Sequence, residues 1–144
     1  MFDSVLVICV GNICRSPTGE RLLQRELPEK KIHSAGISAV VGHGADSSAE
    51  EVARSYGLSL DGHVAKQLTK EMCRDHDLLL VMERKHIEAV CQIVPEMRGK
   101  IMLFGHWDNH REIADPYKQS REAFDFVYRS LEASSKLWAT ALKN

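Results

Sequence analysis

An unbroken apolar run, Val5-Leu6-Val7-Ile8, ends on a compact turn, Cys9-Val10-Gly11-Asn12-Ile13-Cys14-Arg15-Ser16, and Pro17 follows at once. A short β-branched run without alternation reads as a strand buried on both faces, which a parallel sheet covered by helices provides. Ser16 is a favourable N-cap and Pro17 suits the first helical position, so a helix is expected to about Leu27, where Pro28 stops it. A turn between such a strand and helix aims backbone N–H groups and the positive end of the helix dipole at one point. That makes an anion cradle without a metal.

The rest of the chain repeats the alternation. Ile32 to Ala35 is a weak strand, and Ser47 to Tyr56 a helix with Ser47/Glu50 and Ser48/Glu51 as capping boxes and Gly57 as its C-terminal cap. Leu78-Leu79-Leu80-Val81-Met82 is a clear strand. A helix from about Arg84 to Val94 carries Ile87, Val90, Cys91 and Val94 at helical spacing, and a strand is expected at Lys100 to Phe104. The closing helix, about Ser120 to Leu142, places Phe124, Val127, Leu131, Trp138 and Leu142 on one stripe. Such alternation predicts an α/β fold with right-handed crossovers, helices on both faces of a mostly parallel sheet, and ligands at the carboxyl ends of its strands. The long aperiodic segment from Gly105 to Gln119 has the length of a functional loop.

With 144 residues, 44% of them hydrophobic, residues 1–144 form one domain. The start, Met1-Phe2-Asp3-Ser4, has no basic segment, and the apolar run after it is too short for a signal peptide or a membrane span. Four cysteines, at 9, 14, 73 and 91, contain no CxxC pair, which argues against structural zinc and a secreted disulfide framework. A soluble protein of the reducing cytoplasm is expected. The net charge of −1 gives no reason to expect nucleic acid or an acidic membrane as partner, so any anion site is local. No metal or cofactor is expected.

Within the turn, a thiol at Cys9 sits in a positive field that favours the nucleophilic thiolate. Arg15 can lay its planar fork against two phosphoryl oxygens. Phosphoryl transfer also needs a proton donor for the leaving oxygen and a base for water, and one carboxyl group can serve both in turn. Asp115, in Asp115-Pro116-Tyr117, is the candidate, with Tyr117 as a flat wall for an aromatic substrate.

The string Val7 to Pro17, with Asp115-Pro116-Tyr117 near the C-terminus, resembles the low-molecular-weight protein tyrosine phosphatases over essentially the whole chain. Ser34-Ala35-Gly36, the segment Gly62 to Gln67, and Met82-Glu83 resemble that family's landmarks in the right order. Pro95 to Lys100 and Leu103 to Trp107 further resemble its bacterial subgroup acting in exopolysaccharide or capsule export. That subgroup's partner is an autophosphorylating membrane tyrosine kinase with a tyrosine-rich tail.

The resemblance implies a doubly wound four-stranded parallel sheet and phosphotyrosine hydrolysis through a phosphocysteine at Cys9, with residues 9 to 16 as the phosphate loop. It gives Ser16 the task of stabilising the thiolate, Asn12 that of holding the loop in a strained shape, and His63 that of supporting Asn12 from behind. Cys14 is the redox candidate, able to trap an oxidised Cys9 as a disulfide or else simply filling space under the loop. Where eukaryotic members carry a second aromatic after Asp-Pro-Tyr and a large aromatic after the second strand, this chain has Lys118 and Val40-Val41, so Val40 and Tyr117 are the expected substrate walls. A monomer is expected.

Three rivals differ in testable ways. An arsenate reductase on the same fold needs two relay cysteines, and Cys73 and Cys91 form no compact redox pair. A protein arginine phosphatase of this family has threonine where this chain has Ile13. A phosphotyrosine-binding module needs neither the thiol of Cys9 nor the carboxyl of Asp115.

Overall fold

The computed structural model describes residues 2–143. Four parallel strands form one sheet: β1 (Ser4–Cys9), β2 (Lys31–Gly36), β3 (Leu78–Val81) and β4 (Ile101–Leu103), in the order β2-β1-β3-β4. The five α-helices are α1 (Arg15–Glu26), α2 (Ser47–Ser55), α3 (Lys70–Arg74), α4 (Arg84–Ile93) and α5 (Arg121–Leu142), and a 3-10 turn, Pro95–Lys100, leads into β4. The expected α/β, doubly wound, four-stranded parallel sheet is the observed one.

Side chains of successive strand residues point to opposite faces, and β1 shows what each face does. Val5 and Val7 join Leu78 and Leu80 in a core closed by α1, α2 and α5. Leu6 and Ile8 join Leu79 and Val81 in a second core with Cys73 of α3 and Val90 and Cys91 of α4. Both central strands are therefore buried on both faces, which is why their sequences show no polar alternation. The stripe predicted for α5 is buried throughout, and Trp138 donates from Nε1 to the Phe104 carbonyl at 2.8 Å, tying the last helix to the end of β4.

Several element ends differ from expectation for local reasons. Helix α1 starts at Arg15 with Cys14 as N-cap, so Ser16 caps nothing and turns its hydroxyl inward. Pro17 still sits in the first turn, where its missing N–H goes unmissed. Helix α2 is capped by Asp46, whose Oδ2 accepts from the Ser48 and Ala49 amides at 3.0 and 3.1 Å, in place of the serine boxes. Helix α3, too short for a periodic signal, was not expected; Thr69 caps it. The strand expected over Lys100 to Phe104 shortens to three residues because the 3-10 turn occupies its start.

Strand β1 pairs with β2 on one side and β3 on the other, so the connections leave it toward opposite edges of the sheet and the strand order switches there. That is where an open parallel sheet leaves a crevice. Cys9 is the last residue of β1 and Arg15 the first of α1, which puts the intervening turn in the crevice.

Candidate active site

Residues 10 to 14 wrap between β1 and α1 in a loop that depends on Asn12. Its φ of 59° lies in the left-handed region, unfavourable for any residue but glycine unless its side chain is held. Here every polar group of that side chain is bound. Oδ1 accepts from the Lys66 amide at 2.9 Å, which fixes the orientation of the carboxamide. Nδ2 then donates to Ser16 Oγ at 2.7 Å and to Ser34 Oγ at 3.0 Å. The Asn12 carbonyl oxygen lies 2.6 Å from His63 Nε2, which donates to it.

Ser34 gives its own proton to Glu20 Oε1 at 2.5 Å, because a carboxylate only accepts. Ser16 Oγ accepts from Asn12 Nδ2 and keeps its own proton available to a thiolate at Cys9 Sγ, 2.9 Å away. Asn12, Ser16 and His63, the residues expected to support the loop, are thus joined in one hydrogen-bonded network behind Cys9. Gly36 is required behind the loop: a Cβ there would lie 2.5 Å from the Val10 carbonyl oxygen.

Arg15 is buried to 2% exposure although it carries a full charge. Its Nη1 donates to Glu83 Oε2 at 2.6 Å and to the Ile113 carbonyl at 2.8 Å, and its Nη2 lies 3.9 Å from Asp115 Oδ2. Burial raises the Glu83 carboxyl, but the hydrogen bond and charge of Arg15 outweigh it and hold Glu83 below its ordinary range. His86, in the first turn of α4, accepts the Glu83 amide at Nδ1, 3.2 Å away. Burial, then the charge of Arg15, lowers its pKa and favours the neutral ring.

The aperiodic segment after β4 is anchored where it passes the site. Ile113 is buried and its amide donates to the Met82 carbonyl at 2.9 Å, so Asp115 follows two residues beyond a fixed point. Asp115 itself is half-exposed, with Oδ1 accepting from the Tyr117 amide at 3.0 Å.

One cleft of about 220 Å³ collects these groups, lined by Cys9, Val10, Gly11, Ile13, Cys14, Arg15, Ser38, Val40, Asp115 and Tyr117. Val40 and Tyr117, both 45% exposed, form its rim where the sequence placed them, and Lys118 Nζ lies 5.5 Å from the Tyr117 ring centroid. Cys14 is buried below the loop. Burial, then the charges of Asp46, Asp115 and Cys9, pushes its thiol strongly up. Cys73 and Cys91 are also buried, free and away from the cleft, which leaves no cysteine relay among the described residues. No group of three or more His, Cys, Asp or Glu side chains able to hold a metal occurs among the described residues. None of the described helices is long and apolar enough to cross a membrane.

Sequence reasoning gave no role to Glu83, Ser34, Glu20 or the Ile113 carbonyl. Glu83 had a signal, since it stands just past the carboxyl end of β3, the side where ligands bind in such sheets. Ser34 stood in a family-like string that carried no stated role, while Glu20 and Ile113 lie far along the chain from the residues they hold and no local pattern marks them.

An α/β sheet that ends its first strand on a buried thiol, wraps an anion loop after it and closes the loop with a buried arginine defines a phosphate-ester site. Residues 4–144 match the family model described as low molecular weight phosphotyrosine protein phosphatase. The chain belongs to that family and is a protein-tyrosine-phosphatase. It is 62% identical to the probable low molecular weight protein-tyrosine-phosphatase AmsI of Erwinia amylovora over 99% of both chains. It is 60% identical to the phosphatase Wzb of Escherichia coli K12, over 99% of this chain and 97% of that one. The crystal structure of the Erwinia amylovora phosphatase superimposes with a TM-score of 0.98 at 61% identity, covering 100% of this chain and 95% of that one. The arginine phosphatase YwlE of Geobacillus stearothermophilus shares the fold at a TM-score of 0.91 with 28% identity, covering 99% of this chain and 93% of that one.

Proposed function

We propose that this phosphatase hydrolyses phosphotyrosine in proteins through a phosphocysteine, with Cys9 as nucleophile, Arg15 as phosphate clamp and Asp115 as general acid and then base. The thiolate of Cys9 attacks phosphorus, the bond to the tyrosine oxygen breaks, and Asp115 gives that oxygen its proton. Water then attacks the phosphocysteine, Asp115 takes its proton, and the S–P bond breaks to release inorganic phosphate and the thiolate. Arg15 and the loop amides follow the phosphoryl charge through both steps, so no metal is needed.

The observation that carries this reading is the 2.9 Å contact between Ser16 Oγ and Cys9 Sγ, inside a cleft that also holds Arg15 and Asp115. Ile13, at the cleft wall, supplies an apolar surface for a tyrosine ring and no hydroxyl for a phosphoguanidinium, which favours tyrosine over arginine. A pure binding module would need neither the oriented thiol nor a carboxyl at the rim.

The subgroup resemblance and the identity to Wzb and AmsI support a tyrosine autokinase of exopolysaccharide or capsule production, with a tyrosine-rich tail, as the substrate. The protein would meet that tail in the cytoplasm as a monomer. Rapid-quench reaction with a labelled aryl phosphate tests the chemistry: label should accumulate on Cys9 within the first turnover. Cys9→Ser should abolish turnover and still bind vanadate. Turnover by Cys9→Ser within tenfold of the unaltered enzyme would exclude the mechanism.

A further inference from the structure

Ten large apolar side chains are conspicuously exposed among the described residues, and five of them, Val10, Val40, Val41, Val64 and Tyr117, lie at or beside the cleft. Val10, Val40 and Tyr117 line it. Val41 and Val64 do not, and at 69% and 51% exposure they are more open to water than the three that do. A substrate the size of a single phosphotyrosine side chain gives them no role.

The backbone explains how they come together. Ser38 and Val40 donate their amides to the Val10 and Gly11 carbonyls, each at 3.0 Å, which stitches the segment after β2 to the phosphate loop. Gly42 then donates to the Ala65 carbonyl at 3.0 Å, and Ala65 donates to the His43 carbonyl at 2.8 Å. Val41 and Val64 each immediately precede a residue of this pairing, so two strongly exposed valines stand on neighbouring segments, continuous with Val40 at the cleft wall. Gly42 turns the chain there with a φ of 84°. The segment is therefore held by backbone bonds and does not owe its shape to burial of the valines.

Resting on the reading of the cleft as a phosphotyrosine site, we propose that Val41 and Val64 form an apolar shelf for a side chain flanking the phosphotyrosine. The occupant is an aliphatic or aromatic residue one or two positions away in an extended substrate segment. Such a segment advances about 3.3 Å per residue, so a neighbour within two positions is carried about 7 Å from the phosphotyrosine. The shelf adds apolar contact outside the reacting centre, so it discriminates between phosphoproteins and leaves the chemistry at Cys9 alone.

Two phosphotyrosine peptides of equal charge and length, one with leucine or phenylalanine at the flanking positions and one with glycine, test this. The unaltered enzyme should prefer the apolar peptide by about tenfold in kcat/KM, the lower range for a single apolar group in a pocket because the shelf is open. Val41→Asp and Val64→Asp should each reduce that ratio toward one. Equal turnover of both peptides by the unaltered enzyme overturns the shelf, as does a ratio that survives both substitutions. A concentration-dependent dimer that Val41→Asp dissolves, with no peptide preference, assigns the valines to a second copy and also overturns it. Failure to turn over either peptide would strike the phosphotyrosine reading itself, a result distinct from the other three.

Discussion

Arg15 Nη1 lies 2.6 Å from Glu83 Oε2, a pairing of residues 68 positions apart that anchors the guanidinium from behind the phosphate loop. A guanidinium buried to this degree needs such a partner, since an unpaired buried ion is strongly unfavourable. Glu83 fixes where the fork points before any phosphate arrives. The fork is then pre-organised for the transition state, with less rotamer entropy to lose.

Glu83→Gln keeps the shape and removes the charge. It should lower kcat/KM for an aryl phosphate about 10- to 100-fold, the range expected from about 1.5–3 kcal/mol for a hydrogen bond to a charged group. The inhibition constant for inorganic phosphate should rise in parallel, because both depend on the same fork. The pH dependence of stability gives a second measurement. A carboxyl lowered by folding contributes stability that is complete above its ordinary value of 4.5 and is lost as pH falls through its lower folded value. Thermal unfolding midpoints of Glu83→Gln should therefore fall less steeply below about pH 4.5 than those of the unaltered protein.

Asp115→Asn separates proton donation from binding. Hydrolysis of phosphotyrosine, with a poor leaving group, should slow by about 10²- to 10⁴-fold, the usual contribution of a general acid. An activated aryl phosphate with an acidic phenol should lose far less, since its phenolate departs almost unaided. Single-turnover rates across a phenol series, taken across pH, are the measurement. Equal losses for good and poor leaving groups would reassign the residue to loop positioning and turn attention to Asp108 in the same segment.

Cys14 makes a prediction about oxidation. Its thiol is pushed strongly up, and attack on an oxidised Cys9 requires the thiolate. After peroxide treatment, closure of a Cys9–Cys14 disulfide should accelerate about tenfold per pH unit between pH 6 and pH 9, the increase in thiolate for a group titrating well above that range. Mass spectrometry of alkylated protein follows it, with reductant restoring activity. Cys14→Ser should lose activity irreversibly under the same oxidant. A rate independent of pH would mean that Cys14 only fills space beneath the loop.

Much of the protein was written locally. The unbroken run Val5 to Ile8 dictated a doubly buried strand, the Gly-Asn turn and Pro17 dictated a loop entering a helix, and the spacing in the last helix dictated its buried stripe, because periodicity and turn chemistry act over a few residues. Cys9, Arg15, Asp115, Val40 and Tyr117 were legible because loop chemistry and family landmarks are contiguous strings, and the fold brings all five to one cleft. Other features depended on residues distant in sequence. Ser16 reads locally as a helix cap, only the family resemblance set it beside the thiolate, and the fold puts its hydroxyl against Cys9 Sγ, while Asp46 takes over a capping task that two serines advertised. Glu83, Ser34, Glu20 and Ile113 acquired their partners only when the sheet brought its strand ends side by side. Hydrogen bonds between strand ends are set by strand order and register, which the sequence encodes through the packing of both cores and not through any motif at the residues themselves.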